Sequence, residues 1–125
     1  MKSKKLEVLY TEFAKEDELD DDLSQMINMA KEATATAYAP YSLFKVGASV
    51  KLSNGTIIKG SNQENIAYPS GLCAERVALY AASSQFPNED IKAIAVTVDH
   101  AFPKEEEVFS PCGACRQVMA EIELK

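Results

Sequence analysis

Three cysteines and one glutamate are the residues of this 125-residue chain whose types and spacing can do chemistry. Cys112-Gly113-Ala114-Cys115 is a C-x-x-C pair, which suits half a zinc site, a redox dithiol or a chance spacing. Cys73 supplies a third thiol, and Glu75 stands two residues beyond it in Cys73-Ala74-Glu75-Arg76. A redox dithiol needs neither addition. Zinc held by three protein ligands keeps its fourth position open, the arrangement of catalytic rather than structural sites. A carboxylate beside such a position is placed to shuttle a proton for metal-activated water. Taken alone, a glutamate in a first helical turn is ordinary, and only its coupling to the three thiols gives it a role. The single histidine, His100, offers an alternative as the fourth ligand of a closed structural site, against the plainer reading of an exposed loop residue.

Charge sets a further demand. Three thiolates around a divalent cation leave a net negative centre, which works against ionising a bound water. Such a site needs positive charge or hydrogen-bond donors aimed at sulfur. Arg76 follows Glu75 and Arg116 follows Cys115. Either can be a plain surface arginine, and Arg76 is the better candidate for supporting the thiolates.

The elements that must position these groups follow from periodicity. Leu23, Met26, Ile27, Ala30, Ala33 and Ala37 recur at helical spacing and predict an amphipathic helix stopping before Pro40. Val46 to Leu52 and Thr56 to Lys59 read as two strands joined through Ser53-Asn54-Gly55, a hairpin signal. Cys73 to about Ser84 predicts a second helix. Ile91 to Val98 is a mostly apolar strand expected to be buried on both faces. A loop with Pro103 and the run Glu105-Glu106-Glu107 leads to Pro111, and a last helix starts near Cys112. Both cysteine segments therefore sit where a helix begins, where thiols lose protons more readily. Upstream, Lys5 to Phe13 suits a short strand or an extended arm. The acidic cluster Glu16 to Asp22 suits a solvated loop feeding a helix N-terminus.

Helix, hairpin, helix, strand and helix together describe an α/β layered domain whose sheet is covered by helices. The whole of 1–125 reads as one domain, with 1–22 as an N-terminal arm and acidic loop. At 46% hydrophobic and 26% charged residues the chain reads as globular, and a domain of this size builds a core without disulfides. An odd count of three cysteines fits a reducing compartment, and a cytoplasmic location is expected. The net charge of −6 disfavours a nucleic-acid partner or an anionic membrane surface. No apolar run approaches the length of a membrane span.

The motifs together resemble a known family. Cys73-Ala74-Glu75 followed by Pro111-Cys112-Gly113-Ala114-Cys115 fits the zinc-deaminase pattern. Tyr38-Ala39-Pro40-Tyr41-Ser42, Phe44, Val46-Gly47-Ala48, Asn62-Gln63-Glu64-Asn65, Tyr68-Pro69 and Arg116-Gln117 bring the likeness closer. Over roughly residues 23 to 121 the chain resembles the small homotetrameric, three-cysteine cytidine deaminases. That resemblance implies a three-layer α/β/α sheet beginning with an antiparallel hairpin. It implies one zinc per chain on Cys73, Cys112 and Cys115, with Glu75 moving protons between the activated water, ring nitrogen N3 and the departing ammonia. It further implies Asn62 and Glu64 on the ribose hydroxyls, Phe44 against the base, and the backbone of Ala74 and Ser110 on the cytosine edge. Tyr68 is implied near an adjacent subunit's site in a homotetramer.

A carboxylate such as Glu64 accepts from a sugar hydroxyl and repels a phosphate, which favours a free pyrimidine nucleoside. The family continues past the last helix with further strands, and here those strands are expected to be absent. Two alternatives stand beside the deaminase reading. One is a zinc-stabilised binding module or inactive relative, which would hold zinc without turnover. The other is a blasticidin-type nucleoside deaminase, separated from the first by substrate.

Overall fold

The computed structural model describes residues 1–100 and 109–125. Helix α1 spans Asp21–Ala33, strand β1 Phe44–Leu52, strand β2 Ile57–Ser61, helix α2 Ala74–Gln85, strand β3 Ile91–His100 and helix α3 Gly113–Glu123. Pro103 and the run Glu105-Glu106-Glu107 lie outside the described residues.

The acidic cluster does start a helix. Asp20 is the N-cap of α1, its Oδ1 accepting from the Leu23 N–H at 2.8 Å, and Asp21 and Asp22 occupy the first turn. The helical path ends before Ala37, passing through a 3₁₀ turn at Thr34–Thr36. Upstream, Lys5 to Phe13 forms no strand among the described residues, and Leu6, Val8, Leu9 and Tyr10 are exposed. The strand reading is not met: alternation alone does not make a strand where no ladder satisfies the backbone.

The sheet runs β2-β1-β3, antiparallel throughout. The hairpin closes at Ser53-Asn54-Gly55, where Leu52 N–H donates to Thr56 C=O at 2.9 Å. Side chains alternate across β1 and separate two layers of helix. Ser49 is fully buried under α1 and donates its hydroxyl to the Met26 carbonyl at 2.7 Å. Ala48, Val50 and Leu52 point the other way, into a core with Ala74, Ala78, Leu79 and Ala82 of α2. Val118, Met119 and Ile122 of α3 pack on that same cluster. Glycine sets how near the helices come. A Cβ at Gly47 would overlap the Ala30 carbonyl of α1, and one at Gly60 would lie 2.5 Å from the Ala78 nitrogen of α2. The architecture is a three-layer α/β/α sandwich with β1 at its centre.

Two expectations are corrected. No residue from Ile91 to Asp99 is fully buried, and Val96 is 39% exposed. The helices centre on β1, with α1 lying over β1 and β3 but α2 over β2 and β1, so β3 is fully sheathed on neither face. Likewise His100 is not in a loop. It is the last residue of β3, registered against Phe44 at the start of β1. Among the described residues, no helix is long and apolar enough to cross a membrane.

Candidate active site

The two helices that carry thiols both begin on one. Cys73 is the N-cap of α2 and Cys112 the N-cap of α3, positions where Ser, Thr, Asp or Asn cap best. Cys73 makes no capping bond, and Cys112 Sγ accepts from the Cys115 N–H at 3.4 Å, a sulfur in place of the usual oxygen. Good caps have been given up at both helix starts. What replaces them is a sulfur cluster.

Cys73 Sγ lies 3.8 Å from Cys112 Sγ, and Cys112 Sγ lies 3.4 Å from Cys115 Sγ. All three ligand atoms fall within 4.8 Å of one another. Zinc–sulfur bonds of about 2.3 Å in a tetrahedron put sulfurs roughly 3.8 Å apart, so the spacing fits a shared zinc. It is far too long for a disulfide, and the three cysteines are free. Charge points the same way. Burial pushes the Cys115 thiol up to about 12, helped by its contact with Cys112 and the negative charge of Glu75. The Cys115 N–H, by contrast, draws the Cys112 thiol below its ordinary value. Cys115 resists ionising in this setting, and a divalent cation between the sulfurs removes that resistance. The donor set therefore fits zinc.

Arg76 brings a positive charge against the cluster. Its Nη2 donates to Cys73 Sγ at 3.6 Å, and that bond raises the guanidinium pKa above its ordinary value. Its Nε is buried with no hydrogen-bond partner, a spare donor beside the sulfurs. Arg116 does something else. It touches no sulfur and instead donates to the Pro111 carbonyl at 2.9 Å and the Ser110 hydroxyl at 3.1 Å, fixing the segment before Cys112. Glu75, one residue into α2, is only 6% exposed.

A cavity of about 1060 Å³ opens over this cluster, lined by Cys73, Glu75, Arg76 and Cys112 at one end. Phe44, Asn62, Glu64, Tyr68 and Ser110 line the same cavity. Ala74 does not. It is fully buried in the core, leaving only its backbone near the site. Tyr68 is 91% exposed at the rim, in a 3₁₀ turn. Asn62 is pinned to β1, its Oδ1 accepting from Val46 N–H and its Nδ2 donating to Phe44 C=O, both at 2.8 Å. Glu64 accepts from the Tyr41 N–H at 2.9 Å and from the Ser42 hydroxyl. Chiefly through that hydroxyl, its carboxyl is held below its ordinary value.

Two contributors escape a reading of the sequence. Phe109 brings its ring centroid to 5.3 Å from that of Phe44 at a 58° tilt, making an aromatic corner in the cavity wall. Ser42 holds Glu64. Phe109 carried no pattern of its own, and its only signal was an aromatic just ahead of the Ser110-Pro111-Cys112 run.

A layered α/β/α domain presenting three thiols and a buried carboxylate at two helix starts defines a class, the metal-dependent hydrolases with an open zinc position. Residues 20–125 match the cytidine and deoxycytidylate deaminase zinc-binding region. The cytidine deaminase of Halalkalibacterium halodurans is 46% identical over 101 residues, covering 81% of this chain and 72% of that protein. That of Mycobacterium tuberculosis strain H37Rv is 37% identical over 102 residues, covering 82% and 72%. Among solved structures, cytidine deaminase from Burkholderia pseudomallei aligns with a TM-score of 0.65 at 43% identity, over 76% of this chain and 72% of that one. The Mycobacterium tuberculosis enzyme aligns with a TM-score of 0.69 at 36% identity, over 82% and 78%. The chain belongs to the cytidine and deoxycytidylate deaminase family.

Proposed function

We propose that this chain is a zinc-dependent cytidine deaminase, converting cytidine and deoxycytidine with water to uridine and deoxyuridine plus ammonia. The observation that carries this reading is the convergence of three sulfurs beside buried Glu75, with Cys73, Cys112 and Glu75 lining a cavity that aromatic and polar side chains complete. Cys73, Cys112 and Cys115 would hold the zinc. When bound, it supplies a Lewis acid that makes water a nucleophile near neutral pH. Glu75 takes the proton that water gives up, delivers it to ring nitrogen N3, and assists the amino group's departure as ammonia. Its burial keeps bulk water from competing for that proton. Arg76 offsets the thiolate charge that would otherwise oppose ionisation of water.

Phe44 and Phe109 form the apolar wall on which the base rests, with the backbone of Ala74 and Ser110 meeting its polar edge. Asn62 and Glu64 receive the sugar. A negative Glu64 there disfavours phosphorylated substrates, and a chain of net charge −6 disfavours polynucleotides. Exposed Tyr41, Ile66 and Tyr68 around the mouth support a homotetramer in which Tyr68 reaches a neighbouring site. The whole of 1–125 is then one catalytic domain, with the stretch before Asp20 as its arm and Asp20 to Asp22 starting α1. A role in pyrimidine salvage in the cytoplasm follows from a free nucleoside substrate and reduced thiols.

The test is ultraviolet-monitored deamination of cytidine by the purified protein, with zinc quantified in the same sample. Turnover with about one zinc per chain is expected. Zinc without turnover on cytidine or deoxycytidine would instead make the chain a metal-stabilised binding module.

A further inference from the structure

The turn before β1 carries a backbone outlier. Leu43 has φ 56°, a left-handed conformation that a leucine adopts only at a cost. Its side chain is 55% exposed, so packing does not impose the geometry. Hydrogen bonds do. Leu43 N–H donates to the Ala39 carbonyl at 3.0 Å. On either side of it, one hydroxyl links two groups that face the cavity. Ser42 Oγ accepts from the Phe44 N–H at 3.1 Å and donates its proton to Glu64 Oε1. The opposing segment is stitched to the same turn through its backbone, Tyr38 N–H to Asn62 C=O at 3.0 Å and Glu64 N–H to Tyr38 C=O at 2.8 Å. Asn62 then clamps the Phe44 carbonyl, so that both backbone polar groups of Phe44 are held.

We infer that Ser42 is a positioning residue: its hydroxyl relays between Phe44 and Glu64 and keeps the aromatic wall and the sugar-facing carboxylate in one register. This rests on the nucleoside reading of the cavity. Each Glu64 oxygen has two lone-pair directions, and the Tyr41 N–H, the Ser42 N–H and the Ser42 hydroxyl take up those facing the turn. The outer ones are thereby turned to the cavity, where a sugar hydroxyl can donate to them. Without the Ser42 hydroxyl, the carboxylate keeps its charge and its backbone donors but loses the link from Oε1 to the Phe44 N–H.

Two readouts test this. Kinetics on Ser42→Ala should show KM for cytidine raised about tenfold with kcat changed by less than about threefold, as expected for one hydrogen bond to a charged acceptor. Ser42→Thr, which restores the hydroxyl, should return KM to within about threefold of the parent. In a Glu64→Ala background, Ser42→Ala should add less than about twofold, because the two act as a unit. The second readout needs no substrate: a carbon-13 NMR titration of the Glu64 carboxyl. It should titrate higher in Ser42→Ala than in the parent, the lost donor having favoured the charged form. The contact stabilises the fold above the ordinary carboxylate value of 4.5 and fades as pH falls through the lower folded value. If Ser42→Ala shifts that titration in a protein that does not deaminate cytidine, the nucleoside reading has failed and the relay stands. An active protein in which Ser42→Ala moves neither KM nor the titration overturns the relay. So does a threonine variant as impaired as the alanine one, or full additivity with Glu64→Ala.

Discussion

The two sets of residues at the cavity, those of the proposed metal end and those of the proposed sugar end, are held in place by different means. At the metal end, Cys73, Glu75, Arg76, Cys112 and Cys115 all come from the starts of α2 and α3. Those starts are anchored by packing: Ala74 and Cys115 are fully buried, and Ala78 and Leu79 lie in the core one turn on. At the sugar end, Ser42, Phe44, Asn62 and Glu64 sit on a turn and strand ends, and hydrogen bonds hold them. A packed frame fixes groups whose chemistry fails when they are displaced. A hydrogen-bonded frame fixes groups whose loss weakens binding by degrees. Damage at the metal end should therefore appear in turnover and metal content, and damage at the sugar end in KM.

The largest effect expected on this contrast comes from Glu75→Gln. It keeps shape and zinc but removes the proton carrier, and kcat should fall by about 10²–10⁴-fold. Stopped-time deamination assays with metal analysis on the same samples would check it. Near-normal turnover would strip the metal end of its proton chemistry and erase the contrast. Arg76→Ala sharpens it. Removing the donor to Cys73 should weaken zinc retention about 10–100-fold, read by competition with a chromophoric chelator. An unchanged affinity would mean that the sulfurs need no positive neighbour. Leu43→Gly should do least. Relief of the left-handed leucine outweighs the added freedom of the unfolded chain by a small margin, so Tm should rise by about 1–4 °C. A clear fall in a thermal melt would show that the exposed leucine packs against something the turn depends on.

Much of this arrangement was legible in the residues themselves. The C-x-x-C pair, the third cysteine and Glu75 announced a metal site because few other chemistries use that set. The apolar spacing placed the helices, and Asn54-Gly55 placed the hairpin. What stayed hidden depended on partners distant in the chain. Burial of β3 was misjudged because an apolar run does not say which strand takes the centre of the sheet, and β1 takes it here. His100 read as loop because nothing local shows that β3 continues until it meets Phe44. Phe109 gained meaning only against Phe44, and Ser42 only against Glu64. Adjacency to Cys115 likewise did not show which groups Arg116 meets, which are Ser110 and Pro111.

The use of cysteines as helix caps has a mechanical consequence. Cys73 and Cys112 stand 39 positions apart, with Gly60-facing α2 and all of β3 between them. A cation joining them is a cross-link, and in the chain-entropy terms used for disulfides, closing a loop of that length is worth about 4 kcal/mol. A chelator should then do more than silence turnover. It should loosen two helix starts at once and open the segment between them to proteases that the metal-bound protein resists there.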